Sequence, residues 1–153
     1  METNLDNIGV IFRKKNIPIP SGYRPLYKIS LILLVLFYCS KGKKASLLKL
    51  QFFLWALKSV NNHEKFLSIL SNQDSLNIWG LDPTVLRAIN FGVAEQLLEH
   101  QSSNIKLSSK GKILIEVIIQ HEDVFTIEKA FLKKVGINVS EKVISQISKE
   151  WSS

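Results

Sequence analysis

The 153-residue sequence contains one cysteine, Cys39, and this excludes a disulfide within the chain. Cys39 lies in the apolar run ILLVLFYC, where we expect a buried small hydrophobe rather than a catalytic thiol. The N-terminal residues lack the apolar core and small-residue cleavage site of a signal peptide. The apolar run 29–39 is also shorter than the roughly 20 residues that a bilayer crossing requires. We therefore expect a cytoplasmic protein with no membrane partner.

The sequence also lacks the usual motifs of catalysis and metal binding. His63, His100 and His121 have no carboxylate or cysteine at metal-ligand spacing. No glycine-rich phosphate loop of the GxxxxGK type is present. Glu122 and Asp123 follow His121 directly, but they fall at a predicted helix end, where such side chains are usually solvated. We expect no catalytic residue, no metal and no cofactor, so the chain is predicted not to be an enzyme.

Acidic residues are few relative to basic ones. The chain has 20 lysines and arginines against 13 aspartates and glutamates, a formal net charge of +7. This balance favours contact with a polyanion, a membrane surface or an acidic protein face, although a solvated basic surface is an equally simple interpretation. A hydrophobic content of 46% with 22% charged residues is ordinary for a globular domain and argues against wholesale disorder.

Hydrophobic spacing and helix-capping residues predict a mainly α-helical chain. The predicted fold is a winged-helix-like domain with a small β-hairpin wing and additional C-terminal helices. We predict helices over residues 25–40, 45–59, 62–71, 83–90, 109–121, 125–135 and 140–151, and strands within 94–100 and 105–107. The domain organisation that follows is an extended N-terminal arm over 1–24, a winged-helix-like core over 25–122 and a C-terminal helical extension over 123–153.

Several residues mark the ends of these elements. Asp82 followed by Pro83 is typical of an N-cap with proline in the first helical position. Ser108 or Ser109 is predicted to cap the helix after the hairpin. Gly136 is predicted to end the helix over residues 125–135. Residues 72–80, which include Trp79, are predicted to form a polar loop.

The first two predicted helices are apolar over most of their surface. The segment SLLKLQFFLWALKS has few polar residues, and a large exposed apolar patch usually marks contact with a partner. Phe52, Phe53 and Trp55 are therefore candidate partner-binding residues. The alternative is that both helices simply form the core.

The stretch NFGVAEQLLEHQSSNIKLSSKGKILIEVI, residues 90–118, has the order of elements that a wing requires. The helix before it corresponds to the one that reads DNA in helix-turn-helix proteins, yet it offers only Arg87 and Asn90 for base contacts. Candidate phosphate contacts are Lys106, Lys110 and Lys112, with a second basic patch at Lys41, Lys43 and Lys44. Because Glu95 and Glu99 would repel phosphates, we expect nucleic-acid contact to be weak and independent of sequence.

The proline-containing start YRPLYKI, the apolar first helix, the GKK link, SLLKLQFFLWALKS and the wing FGVAEQLL…IKLSSKGKILIEVI together resemble one family. It is the middle component of the ABC-three-component systems, bacterial anti-phage cassettes that include the Lamassu type. The resemblance covers roughly residues 23–121. It implies a small non-catalytic subunit that partners an SMC-like ABC ATPase and an effector such as a nuclease.

Two functions from different classes remain open at this point. The first is an accessory subunit that bridges or regulates the ATPase and the effector through protein contacts. The second is a stand-alone, dimeric winged-helix transcription regulator that needs Arg87 for DNA binding. A toxin-neutralising partner is a third interpretation, because it shares the small, non-enzymatic character.

Overall fold

A computed structural model describes residues 24–71 and 82–152, which form seven α-helices and three short β-strands. The elements are α1 (Arg24–Cys39), β1 (Lys44–Ser46), α2 (Leu47–Ala56), α3 (Val60–Leu70), α4 (Pro83–Ala94), β2 (Leu98–Gln101), β3 (Asn104–Leu107), α5 (Ser109–Gln120), α6 (Thr126–Val135) and α7 (Glu141–Ser152). Single 3-10 turns lie at Lys41–Lys43 and Gly136–Asn138. The predicted arm up to residue 23 and the predicted loop with Trp79 lie outside the described residues. The prediction of a mainly helical chain is confirmed.

Helix α1 lies at the centre of the core. Its residues from Ile32 to Leu36 are 0% exposed, as is Ile29 one turn earlier. Four other helices, α2, α4, α5 and α6, contact α1. This arrangement follows from the sequence, because a helix that is apolar on nearly every side must be covered on nearly every side. None of the helices in residues 24–71 and 82–152 has the length and apolar character needed to cross a membrane.

The three strands form one antiparallel sheet in the order β1-β3-β2. On the face turned to the core, Ala45 of β1 pairs with Ile105 of β3, and both side chains are buried. On the outer face, Lys44 pairs with Lys106, which in turn pairs with Glu99 of β2. The hairpin was predicted, but β1 was not.

The prediction of one helix over 45–59 is wrong at both ends. Lys44–Ser46 form β1 because they pair with β3, a contact between residues about sixty positions apart. Ser46 has an extended backbone and caps α2, since its hydroxyl accepts a hydrogen bond from Lys49 N at 3.1 Å. At the other end, α2 stops at Ala56, and Ser59 caps the separate helix α3.

Other predicted boundaries agree closely with the structure. Asp82 caps α4 with Pro83 in its first turn, Ser108 caps α5, and Gly136 ends α6 with a φ of 60°. Helix α4 runs to Ala94, beyond the predicted end at 90. It continues through Gly92, whose missing side chain leaves room for Leu98 of β2.

The C-terminal helices attach to the core through buried polar contacts. Lys49 is 3% exposed, and its Nζ donates to Cys39 O at 2.8 Å and to Val139 O at 2.9 Å. Lys129, 7% exposed, donates to Ile118 O at 2.7 Å and to His121 O at 2.8 Å. The last carbonyls of α1 and α5 are thus satisfied by lysines from other helices. The predicted division of the chain at residue 122 stays a prediction.

Gly111 and Gly92 provide a matched pair of substitutions. A Cβ at Gly111 would lie 2.1 Å from Leu97 O, a backbone atom, whereas a Cβ at Gly92 would lie 2.7 Å from Leu98 Cδ1, the end of a side chain. We expect Gly111→Ala to lower the free energy of unfolding by about 3 kcal/mol, because the backbone must move. Gly92→Ala should cost roughly 1 kcal/mol or less, since a rotamer change relieves the clash and alanine favours helix. Urea unfolding followed by circular dichroism measures both, and equal losses would contradict the close approach at Gly111.

Candidate functional site

The start of α4 is held in place by the side chain of Gln51 on α2. Gln51 is 4% exposed, and its Nε2 donates to Asp82 O at 3.1 Å while its Oε1 accepts from Asp82 N at 3.0 Å. The side-chain amide therefore contacts the backbone of one residue in both directions, as a neighbouring strand would. This pairing sets the position of α4 relative to α2. Sequence reasoning missed this role, although a lone amide in an apolar helix is a signal for it.

Asp82 carries a fixed negative charge at the N-terminus of α4. Its carboxylate accepts hydrogen bonds from Thr84 N at 2.9 Å and Thr84 Oγ1 at 2.7 Å, and lies 3.6 Å from both Lys28 Nζ and Lys58 Nζ. Partial burial acts to raise the pKa of Asp82, but the Thr84 hydrogen bonds and the two lysines outweigh it and lower the pKa to about 2. The carboxylate is therefore ionised throughout the physiological pH range.

The outward face of α4, formed by Leu86, Arg87, Asn90 and Phe91 and called the α4 face below, is open to solvent. Leu86 is 46% exposed and Phe91 is 42% exposed, one on each side of the two polar residues. The opposite side of the helix is buried against the core. Two large apolar side chains on either side of an arginine and an amide make a mixed surface that suits contact with another protein.

The four candidate nucleic-acid residues lie on three different elements, α4, β3 and α5. Arg87 belongs to the α4 face, and Lys106 is half-buried on the outer face of the sheet. The Nζ of Lys110 donates to Glu95 O at 3.1 Å, next to the end of α4. Lys112 is exposed on α5. Their part in nucleic-acid contact stays a prediction.

The candidate partner-binding residues of α2 lie in the core. Phe52 and Phe53 are 0% exposed, and Trp55 is 9% exposed. The ring of Phe52 stacks on Phe66 of α3 with centroids 4.5 Å apart and on Trp55 at 5.9 Å. We correct the expectation that these three side chains face a partner, because the folded chain itself uses their apolar surface. Of the two interpretations offered by the sequence, the core is the one that the structure supports.

The groups with potential chemistry are also engaged in structural contacts. Cys39 Sγ donates to Leu132 O at 3.3 Å, and burial raises the pKa of the thiol to about 12, so the thiol stays protonated. The ring of His63 stacks on Phe131 with centroids 4.1 Å apart, and burial lowers the pKa of its imidazole. Within residues 24–71 and 82–152, no group of three or more histidines, cysteines or carboxylates could hold a metal ion.

Comparison of the chain with protein-family models, with curated proteins and with solved structures found no match. Its function is therefore inferred from these surfaces and from the resemblance of residues 23–121.

Replacing Gln51 tests whether it positions α4. In Gln51→Leu, the backbone N–H of Asp82 loses its partner, while Asp82 O keeps its bond from Val85 N at 3.1 Å. We expect the free energy of unfolding to fall by about 1–3 kcal/mol and the amides at the start of α4 to exchange faster. Urea unfolding and hydrogen exchange measure the two effects. The control is Gln120→Leu, at an exposed position; a loss no greater than that of the control would argue against the pairing.

The charge of Asp82 predicts a stability change in acid. Its pKa of about 2 in the folded chain lies below the ordinary value of 3.8, so the folded state binds fewer protons there than the unfolded state. The resulting stabilisation is complete above about pH 4 and is lost as the pH falls toward about 2. Asp82→Asn keeps a good N-cap but has no charge. The stability difference between wild type and Asp82→Asn, measured by thermal unfolding from pH 5 to pH 2, should shrink over that window; a constant difference would be the contrary result.

Proposed function

We propose that this chain is a non-catalytic accessory subunit whose winged-helix-type module binds another protein through the α4 face. The observation that carries the proposal is the exposure of Leu86 and Phe91 on the outward side of the helix that precedes the hairpin. Exposed apolar side chains of this size, next to an arginine, are typical of the centre of a protein interface.

The order of elements supports a winged-helix interpretation. Helix α1, strand β1, helices α2 and α4, and the β2–β3 hairpin follow one another along the chain. The early strand β1 pairs with the second hairpin strand, β3, which gives the sheet order expected of such a domain. Helix α3 is an additional helix between α2 and α4. In this interpretation α4 takes the recognition position and the hairpin is the wing.

The chemistry of α4 favours protein over DNA. Base readout depends on arginine, lysine, asparagine and glutamine, and the α4 face offers Arg87 and Asn90 between two apolar residues. At the start of the same helix, the ionised carboxylate of Asp82 offsets part of the positive charge that Lys28 and Lys58 would offer a phosphate backbone. Leu86 and Phe91 would gain little in a hydrated major groove, whereas burial against a protein removes apolar surface from water.

The identity of the partners comes from the sequence resemblance. It implies an SMC-like ABC ATPase and an effector such as a nuclease as partners, in an anti-phage defence complex. ATP hydrolysis and nucleic-acid cleavage would then belong to the partners, and this chain would bridge or regulate them. The net charge of +7 suits an acidic face on such a partner.

A stand-alone winged-helix transcription regulator is the second candidate. The observation in its favour is the direct pairing of Lys44 with Lys106 on the outer face of the sheet, with exposed Lys112 on the helix that follows. Lysines on and after a wing can contact phosphates. This function would depend on Arg87 and would weaken steeply with salt.

Co-expression with the products of the neighbouring genes tests the proposal. We expect the chain to co-purify in one assembly with a large ATPase, with its mass measured by light scattering after gel filtration. Leu86→Asp and Phe91→Asp should each remove the chain from that assembly, because a carboxylate would be buried without a partner. Ile127→Asp, a change at a position that is 57% exposed on α6, is the matched control and should leave the assembly intact.

Two further measurements complete the test, the stability of the variants and the binding of DNA. All three variants change exposed residues, so each should keep the melting temperature of the wild type within a few degrees, about the shift expected of a surface substitution. The regulator would be favoured instead if the wild-type chain does not co-purify with the products of the neighbouring genes but binds its own promoter at physiological salt. That DNA binding should be lost in Arg87→Ala.

A further inference from the structure

A cavity of about 330 Å³ lies between the outer face of the sheet and the start of α7. Lys44 of β1 and Asn104 of β3 line it on the sheet side, and Lys41 lines it from the 3-10 turn before β1. Ile137 and Val139 contribute an apolar wall. This size is at the lower end of the range for small-molecule sites, roughly 300–1,000 Å³.

Positive charge in the cavity exceeds negative charge. Lys41, Lys44 and Lys49 line it together with one carboxylate, that of Glu141. Glu141 is already engaged, since Oε1 accepts from Ser46 Oγ at 2.6 Å and Oε2 accepts from Ser46 N at 3.1 Å. Both ion pairs seen in residues 24–71 and 82–152 are made by Asp82, so neither involves a lysine of the cavity.

Lys49 forms the buried end of the cavity. Its Nζ donates two hydrogen bonds, to Cys39 O and Val139 O, and an ammonium group has three N–H donors. Burial lowers the pKa of Lys49, whereas the nearby carboxylate of Glu141 acts to raise it. An anion in the cavity would add to the stabilising effect of Glu141 on this ammonium group.

Two further features favour an anion at this place. Helix α7 begins at the cavity, where Ser140 and Glu141 line it, and the N-terminus of a helix carries partial positive charge. Lys44 of the edge strand β1 also pairs directly with Lys106, and like charges in that position repel each other, although Lys106 has Glu99 opposite it on its other side. A bound anion beside Lys44 would offset this repulsion.

We propose that this cavity, called the lysine cavity, binds a small molecule that carries a phosphate group. Lys41 and Lys44 contact the phosphate, Asn104 donates or accepts a hydrogen bond beside it, and the remainder of the ligand rests on Ile137 and Val139. A phosphate dianion matches the excess of two positive charges better than a single carboxylate does. A nucleic-acid duplex fits less well, because its paired and stacked bases cannot rest on Ile137 and Val139.

Titration of the full-length chain with inorganic phosphate and with adenosine monophosphate tests this site by calorimetry. We expect saturation at one ligand per chain, with the nucleotide binding more tightly than phosphate because it also contacts the apolar wall. Lys41→Gln/Lys44→Gln should weaken nucleotide binding by about tenfold or more, the loss expected when charge-assisted hydrogen bonds are removed. Both lysines are exposed, so the double variant should fold normally.

Lys133→Gln/Lys134→Gln is the charge-matched control, since it removes two exposed lysines on α6. It should leave nucleotide affinity within about twofold of the wild type, because screening at physiological salt weakens distant charges. An equal loss in both double variants, or no saturation by either probe at millimolar concentration, would overturn the proposal. Binding of a DNA duplex that depends on Lys41 and Lys44, without binding of the nucleotide, would overturn it in favour of a nucleic-acid surface. The assembly expected of the α4 face does not depend on this result.

Discussion

The structure depends on the need to enclose the middle of α1. This helix is apolar on nearly every side, and its residues from Ile32 to Leu36 are 0% exposed because α2, α4, α5 and α6 all pack against it. The positions of these helices around α1 determine where the segments that connect them lie. The sheet closes one side because Ala45, Ile105 and Leu107 turn inward, and its outer face is left polar. The hairpin and the α4 face are therefore displayed by packing that starts at α1.

Enclosure creates a second requirement at helix ends. The last carbonyls of α1 and α5 are inside the protein, where an unpaired carbonyl is costly. Lys49 and Lys129 meet this requirement with two hydrogen bonds each. Lys49 donates to Cys39 O and Val139 O, and Lys129 donates to Ile118 O and His121 O at the end of α5. Burial lowers the pKa of both ammonium groups. The free-energy cost of burying these two charges is offset because the same hydrogen bonds hold the C-terminal helices against the core.

Local signals predicted the elements, and non-local contacts account for the errors. Asp82, Ser108 and Gly136 mark helix ends because capping depends on neighbouring residues, and those boundaries were predicted well. Strand β1 forms by pairing with β3, which lies far away in the sequence, so no short-range pattern predicts it. The burial of Phe52 and Phe53 depends on packing against Phe66 of α3, and an apolar helix alone does not distinguish core from interface. The lysine cavity is lined by residues from both halves of the chain. Local sequence patterns therefore could not predict that these residues lie close together.

The enclosure of α1 limits the surfaces that remain available to bind a partner. The apolar side chains of α1 pack against α2, α4, α5 and α6, and those of α2 also pack against α3. A partner can therefore contact only the side chains that remain exposed on the surface. On α4 this is Leu86 and Phe91, held in register by the Gln51 contact to Asp82. Around β1 it is the lysines of the lysine cavity, where Lys41, Lys44 and Lys49 outnumber the single carboxylate of Glu141. Exposed apolar surface on one element and an excess of positive charge on another favour different kinds of ligand, and this difference is why we propose a protein at the α4 face and an anion at the lysine cavity.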